Sequence, residues 1–105
     1  MTITQLGTFL KIAETGNFTT AANLLGYAQS TVTTQIKQLE AELNCLLFER
    51  LGKSIALTPE GERLQEYAEK MLQMEREILL EVPAVREPVG VIKLGVSERD
   101  RKSVV

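Results

Sequence analysis

Residues 19–43, TTAANLLGYAQSTVTTQIKQLEAEL, read as two helices joined by a tight turn, and the rest of the chain is organised around them. The first helix is expected over residues 19–25, with the Thr19 hydroxyl accepting from a first-turn N–H and Gly26 taking the left-handed conformation that ends it. Ala21 and Ala22 are small enough to let a second helix cross close by, as a steep helix crossing over a short turn requires. That second helix, Gln29–Leu43, carries Val32, Ile36, Leu39 and Leu43 along one apolar stripe. Ser30, Thr34, Lys37 and Ala41 fall opposite, flanked by Thr31, Thr33 and Gln38. Short, mostly uncharged polar side chains at the leading end of a helix can enter a major groove. There Gln pairs bidentately with adenine, and Ser or Thr with either class of base. A plain solvated face has the same polarity, so this helix alone does not decide between them.

Upstream, Leu6, Phe9, Leu10 and Ala13 share one helical face, which predicts a helix over residues 4–14, capped by Thr2 or Thr4 and stopped at Gly16. Gly7 inside it costs about 1 kcal/mol relative to alanine, so packing must hold this helix. Phe18 has the size to plug the space beneath the first two helices. The expected core is Leu6, Phe9, Leu10, Phe18, Leu24, Leu25, Val32, Ile36, Leu39 and Leu43.

Downstream, apolar Leu46, Leu47 and Phe48 give way to the polar run 49–54 and then to Ile55, Ala56 and Leu57, the pattern of a β-hairpin. Gly52 supplies the permissive dihedral at the turn, and Arg50 and Lys53 stand on or beside the tip. A hairpin next to a groove-entering helix is a wing, and cations there suit phosphate or minor-groove contact. They equally suit solvent.

A chain of 105 residues accommodates one small domain plus an appendage. Its 12 basic and 14 acidic residues give a net charge of −2, so a polyanion partner must be argued from local placement. Residues 1–58 hold four basic residues (Lys11, Lys37, Arg50, Lys53) and four acidic ones, whereas residues 59–82 hold three against seven. The single cysteine, Cys45, cannot form an internal disulfide and is expected to be a buried, inert thiol. Without a signal-like N-terminus or an apolar run of about 18 residues, a soluble cytoplasmic protein without membrane contact is expected. There is no histidine, no glycine-rich phosphate loop and no carboxylate cluster at metal-ligand spacing, so neither an enzyme nor a metal or cofactor is expected.

Together Phe18, Thr19, Ala21, Ala22, Leu25, Gln29, Ser30, Val32, Thr33, Ile36, Leu39, Glu40, Leu43, Leu47, Phe48, Arg50, Lys53, Leu57, Thr58 and Gly61 make a pattern that resembles the N-terminal DNA-binding domain of LysR-type bacterial transcriptional regulators. The resemblance runs from near Met1 into the nineties. It implies a mainly α fold, a winged helix-turn-helix of three helices plus a β-hairpin wing, followed by a long dimerisation helix. Gln29, Ser30, Thr31, Thr33 and Thr34 would then lead the recognition helix, with Thr19, Lys37, Arg50 and Lys53 completing the DNA-binding set. Ala28 stands where the family usually has a Ser or Thr cap, and Thr34 where many members have arginine. Asn44 replaces a frequent glycine at a left-handed helix end, which Asn tolerates. Pro59 replaces a frequent alanine at a first helical position, where proline is accepted.

Thr58 is expected to cap a long helix from Pro59 to about Val82, on which Leu64, Tyr67, Met71, Met74 and Ile78 repeat at alternating spacings of three and four, with Ala68, Leu72 and Leu79 widening the seam. At 1.5 Å per residue such a helix is roughly 36 Å long, and its stripe calls for a partner. The same helix of a second subunit matches the family's dimerising linker; the alternative is packing back onto its own domain. Pro83 and Pro88 bracket a hinge, and residues 89–96 (VGVIKLGV) alternate as one strand, which in the family opens an effector-binding domain. That domain is expected to be missing, so no small-molecule inducer is expected to bind here. The layout is therefore residues 1–58 as the DNA-binding domain, 59–82 as the linker helix, and 83–105 as hinge, lone strand and disordered tail. The expected function is dimeric, sequence-specific binding of an inverted-repeat operator in double-stranded DNA. The competing expectation, favoured by the neutral first half and by Thr34, is a dimerisation module acting on full-length regulators without strong DNA binding of its own.

Overall fold

The computed structural model describes residues 1–83, with elements in the order α1 (Ile3–Thr15), α2 (Phe18–Leu25), α3 (Gln29–Leu43), β1 (Phe48–Leu51), β2 (Ser54–Leu57) and α4 (Pro59–Glu81). This is three helices, a two-stranded antiparallel hairpin and a long helix, the winged helix-turn-helix order. The chain divides into two units, Met1–Leu72 and Gln73–Val105.

In the first unit each helix start has its own donor bookkeeping. Thr2, not Thr4, caps α1: its hydroxyl accepts from Gln5 N at 3.0 Å while Gln5 Oε1 accepts from Thr2 N at 3.0 Å, a reciprocal capping box. The cap of α2 is Asn17, whose Oδ1 accepts from Thr20 N at 2.8 Å. This corrects the expected Thr19 cap: asparagine caps as well as threonine, and starting at Phe18 adds a residue to a helix of only eight. Helix α3 starts after Ala28 with no side-chain cap. It ends on Asn44 at φ 56°, in the left-handed region.

The core gathers Leu6, Phe9 and Ile12 from α1, Ala21 and Ala22 from α2, Val32, Ile36 and Leu39 from α3, then Leu47 and Ala68. Three expected members, Leu24, Leu25 and Leu43, are outside it, Leu25 being half-buried. Leu24 is 64% exposed, because at 100° per residue Leu25 lies between Ala21 and Ala22 while Leu24 points about 110° away. Leu43, 37% exposed, is the last residue of α3 and stands outside the cluster. Leu10 and Phe18 pack against the cluster half-buried, and so does Cys45, which is less enclosed than expected. Between α1 and α3, Gln5 Nε2 donates to Gln38 Oε1 at 3.1 Å and the buried Thr8 hydroxyl donates to Gln35 Oε1 at 2.5 Å, so the one buried polar side chain among the described residues is satisfied.

The strands pair in the register Phe48↔Leu57, Glu49↔Ala56, Arg50↔Ile55 and Leu51↔Ser54. Gly52 and Lys53 form the two-residue turn, with Gly52 at φ 64° in the first central position, as a type II′ turn needs. Phe48 anchors the hairpin base, its ring centroid 5.4 Å from that of Phe9 and 5.7 Å from that of Phe18. Thr58 caps α4 as expected, accepting from Gly61 N at 3.0 Å while its hydroxyl donates to Leu46 O at 2.6 Å.

One seam assignment, Ala68, changes in the opening turns of α4. Ala68 is fully buried in the core, and Leu64 is half-buried against it, so at these positions the helix packs on its own domain. Tyr67 and Met71, on the same unit, are exposed. In the second unit, α4 continues to Glu81 with Met74, Ile78, Leu79 and Leu80 exposed and Arg76 donating to Gln73 Oε1 at 2.8 Å. The strand expected at 89–96, Pro88 and the tail lie outside the described residues. No helix among the described residues is long and apolar enough to cross a membrane.

Candidate nucleic-acid interface

Three elements of the first unit converge on one open cleft of ≈ 350 Å³: the start of α2, the leading half of α3, and the wing. Thr19, Gln29, Thr33, Lys37, Arg50 and Lys53 all line it, over an apolar floor of Phe18, Ile36, Phe48 and Ile55. The short turn between α2 and α3, closed by Tyr27 N donating to Ala22 O at 2.9 Å, is what brings Thr19 and Gln29 together across ten residues of sequence. Ser30, Thr31 and Thr34 do not line the cleft but stand exposed on the adjoining surface of α3. Thr33 is half-buried, the least accessible of the expected contact residues.

The cleft carries charges of both signs. Lys37, Arg50 and Lys53 are exposed and make no ion pair among the described residues, whereas Lys11, away from the cleft, pairs with Glu14 at 3.1 Å. Two carboxylates share the cleft, Glu40 and Glu49. Glu40 is engaged inward, its Oε2 accepting from Leu47 N at 2.8 Å. The start of α3 has no side-chain cap, and Thr31 N and Val32 N donate to Ala28 O at 3.0 and 3.2 Å; a helix start without a cap carries partial positive charge.

Sequence reasoning did not place Asn17, Glu40, Leu46 or Glu49 at this cleft. Asn17 carried a usable signal, a capping residue between Gly16 and an aromatic helix start. Glu40 carried only its place in the family pattern, because its partner is a backbone N–H seven residues on.

Residues 3–62 match the family described as bacterial regulatory helix-turn-helix protein, lysR family. The chain belongs to the lysR family. This lysR-family chain is 46% identical over 98 residues to the uncharacterized HTH-type transcriptional regulator YwqM of Bacillus subtilis (strain 168), a match covering 93% of the chain and 33% of that protein. It thus spans about a third of the length of the curated relatives it matches. Among solved structures it resembles the BenM_DBD/catB site 1 DNA complex with a TM-score of 0.73 and 35% identity, covering 76% of this chain and 89% of that one. The CbnR_DBD–DNA complex matches with a TM-score of 0.70 and 36% identity, covering 73% and 88%. The winged helix-turn-helix of this lysR-family member is therefore of the kind found in LysR DNA-binding domains.

Proposed function

We propose that this chain binds double-stranded DNA sequence-specifically as a homodimer and serves bacterial transcription regulation, with residues 1–58 as the DNA-binding domain and residues 59–82 as the dimerising linker. The observation that carries the reading is the juxtaposition, around one cleft, of Gln29 and Thr33 from the leading end of α3 with Lys37, Arg50 and Lys53, which make no ion pair among the described residues. Gln29, Ser30, Thr31, Thr33 and Thr34 face base edges in the major groove, while Lys37 and the wing residues Arg50 and Lys53 meet phosphates; base contacts specify and phosphate contacts position. DNA complexes of the similar BenM and CbnR domains support this reading.

Dimerisation is supported by exposed Tyr67, Met71, Met74 and Ile78, whose alternating spacing suits a helix–helix seam, with Leu64 at its edge. Two copies related by a two-fold axis address an inverted-repeat operator with half-sites about one helical turn, roughly 34 Å, or a multiple of it, apart. The role is non-enzymatic and cytoplasmic, in keeping with the regulators it resembles.

A band-shift titration tests the reading. A duplex carrying an inverted repeat recovered by selection from a random pool should be retarded at concentrations that leave a scrambled duplex free. A chain that retards no duplex yet forms mixed dimers with a full-length relative would put the interaction-module reading in its place.

A further inference from the structure

We infer that Thr19 is a positioning residue that holds the Gln29 amide so that its N–H groups face the DNA, making Gln29 a reader of acceptor-bearing bases, thymine or guanine, instead of a bidentate partner for adenine. The inference rests on the DNA-binding reading of the same cleft and deepens it.

The geometry is a single contact between two elements. Thr19 Oγ1, in the first turn of α2, donates to Gln29 Oε1, at the first position of α3, at 3.1 Å. Threonine hydroxyls inside a helix usually return to a carbonyl one turn back, as Thr15 does to Lys11 O at 2.9 Å. Thr19 lies too near the start of α2 to have such a carbonyl within its own helix, and Asn17 already performs the capping, so its hydroxyl is free to reach across the turn. Gln29 makes no other side-chain hydrogen bond among the described residues, and both side chains are exposed in the cleft.

A free glutamine amide offers one donor group and one acceptor, the pair that adenine's N7 and N6 amino group require. Tying Oε1 to Thr19 turns the acceptor toward the protein and leaves the NH₂ outward. Two N–H donors match N7 and O6 of guanine or O4 of thymine, and they oppose the amino groups of adenine and cytosine. The tether also removes rotamer freedom that an exposed glutamine would otherwise lose on binding.

Duplex selection from a random pool, followed by affinity measurement on the selected site with each base substituted in turn, would be run on the full chain and on Thr19→Val, Thr19→Ser, Gln29→Ala and the Thr19→Val/Gln29→Ala double variant, each checked for folding by circular dichroism. The unaltered chain should prefer thymine or guanine at the position governed by Gln29. Thr19→Val should change that base's advantage over adenine by roughly two- to tenfold, the range of one hydrogen bond. Thr19→Ser should retain it, and Thr19→Val should have no effect on base ranking once Gln29 is alanine. Adenine preferred by the unaltered chain, or a Thr19→Val variant that loses affinity equally for all bases, overturns the inference while leaving DNA binding intact. A chain with no preference among duplexes overturns the underlying reading and the inference with it.

Discussion

The carbonyl of Leu47 occupies the place where a side chain on Gly61 would begin: a Cβ built on Gly61 falls 2.2 Å from Leu47 O and 3.0 Å from Leu57 Cδ2. Glycine is therefore required by close approach of the first turn of α4 to the segment leading into the wing. In an open helix, replacing glycine by alanine stabilises by up to about 1 kcal/mol. Here Gly61→Ala must push Leu47 or α4 aside and should destabilise the fold by about 2 kcal/mol, the range of overpacked core positions. The opposite signs make thermal unfolding decisive, and a variant melting at or above the temperature of the unaltered chain would show that the approach is loose.

Leu47 is held from its other side by Glu40, whose carboxylate accepts from Leu47 N at 2.8 Å. The wing is thus pinned to α3 through a side chain that also borders the cleft. Glu40→Ala removes the acceptor and leaves a buried N–H unpaired, a cost of about 1–3 kcal/mol. Glu40→Gln keeps a carbonyl oxygen in reach and should lose less, because only the charge assistance goes. Denaturant titration ranks the three, and equal stability for alanine and glutamine variants would contradict the acceptor role.

How far the fold could be read beforehand depended on whether a signal was local. Gly16, Gly26 and Gly52 each mark an element end by φ above +60°, and the stripe Val32, Ile36 and Leu39 runs at plain helical spacing, so α1, α3 and the hairpin were legible. Asn17 and Thr19 are both capping residues within three positions, so local sequence did not choose between them, and it is Asn17 that caps. Ala68 was misassigned because an alanine's small apolar surface says little about which side of a helix is covered. The contact residues were legible as types and positions. Their grouping was not: the Thr19–Gln29 hydrogen bond exists only once two helices have crossed.

The division of labour between α3 and the wing has a separable signature in solution. Replacing Lys53, at the hairpin turn, should weaken binding to selected and random duplexes alike, while Gln29→Ala or Thr33→Ala should erode the preference for the selected site. If about three phosphates are neutralised per subunit, the log–log dependence of affinity on salt should have a slope of about −5 for the dimer, and Lys53→Ala should bring it roughly two units nearer zero, one contact being lost on each subunit. Fluorescence anisotropy across a salt series measures both quantities. A slope unchanged by Lys53→Ala would remove the wing from the phosphate contacts.

The same logic separates the two stretches of α4. Leu64 and Ala68 pack on the domain that carries them, so a charged residue at Ala68 should unfold that domain. Met74 and Ile78 are 60% and 54% exposed, and a charge there costs the lone chain little. In a dimer whose seam includes Met74 and Ile78, however, Ile78→Glu would place two carboxylates in an apolar interface. The variant should keep the helical circular dichroism of the unaltered chain but sediment as a single subunit, and its affinity for an inverted repeat should fall toward that for an isolated half-site, since the second recognition helix is no longer held at its groove. Sedimentation equilibrium and half-site competition read these outcomes independently. A dimer that survives Ile78→Glu would move the seam elsewhere, and a monomer that still binds the full repeat as tightly would show that the two copies meet only on DNA.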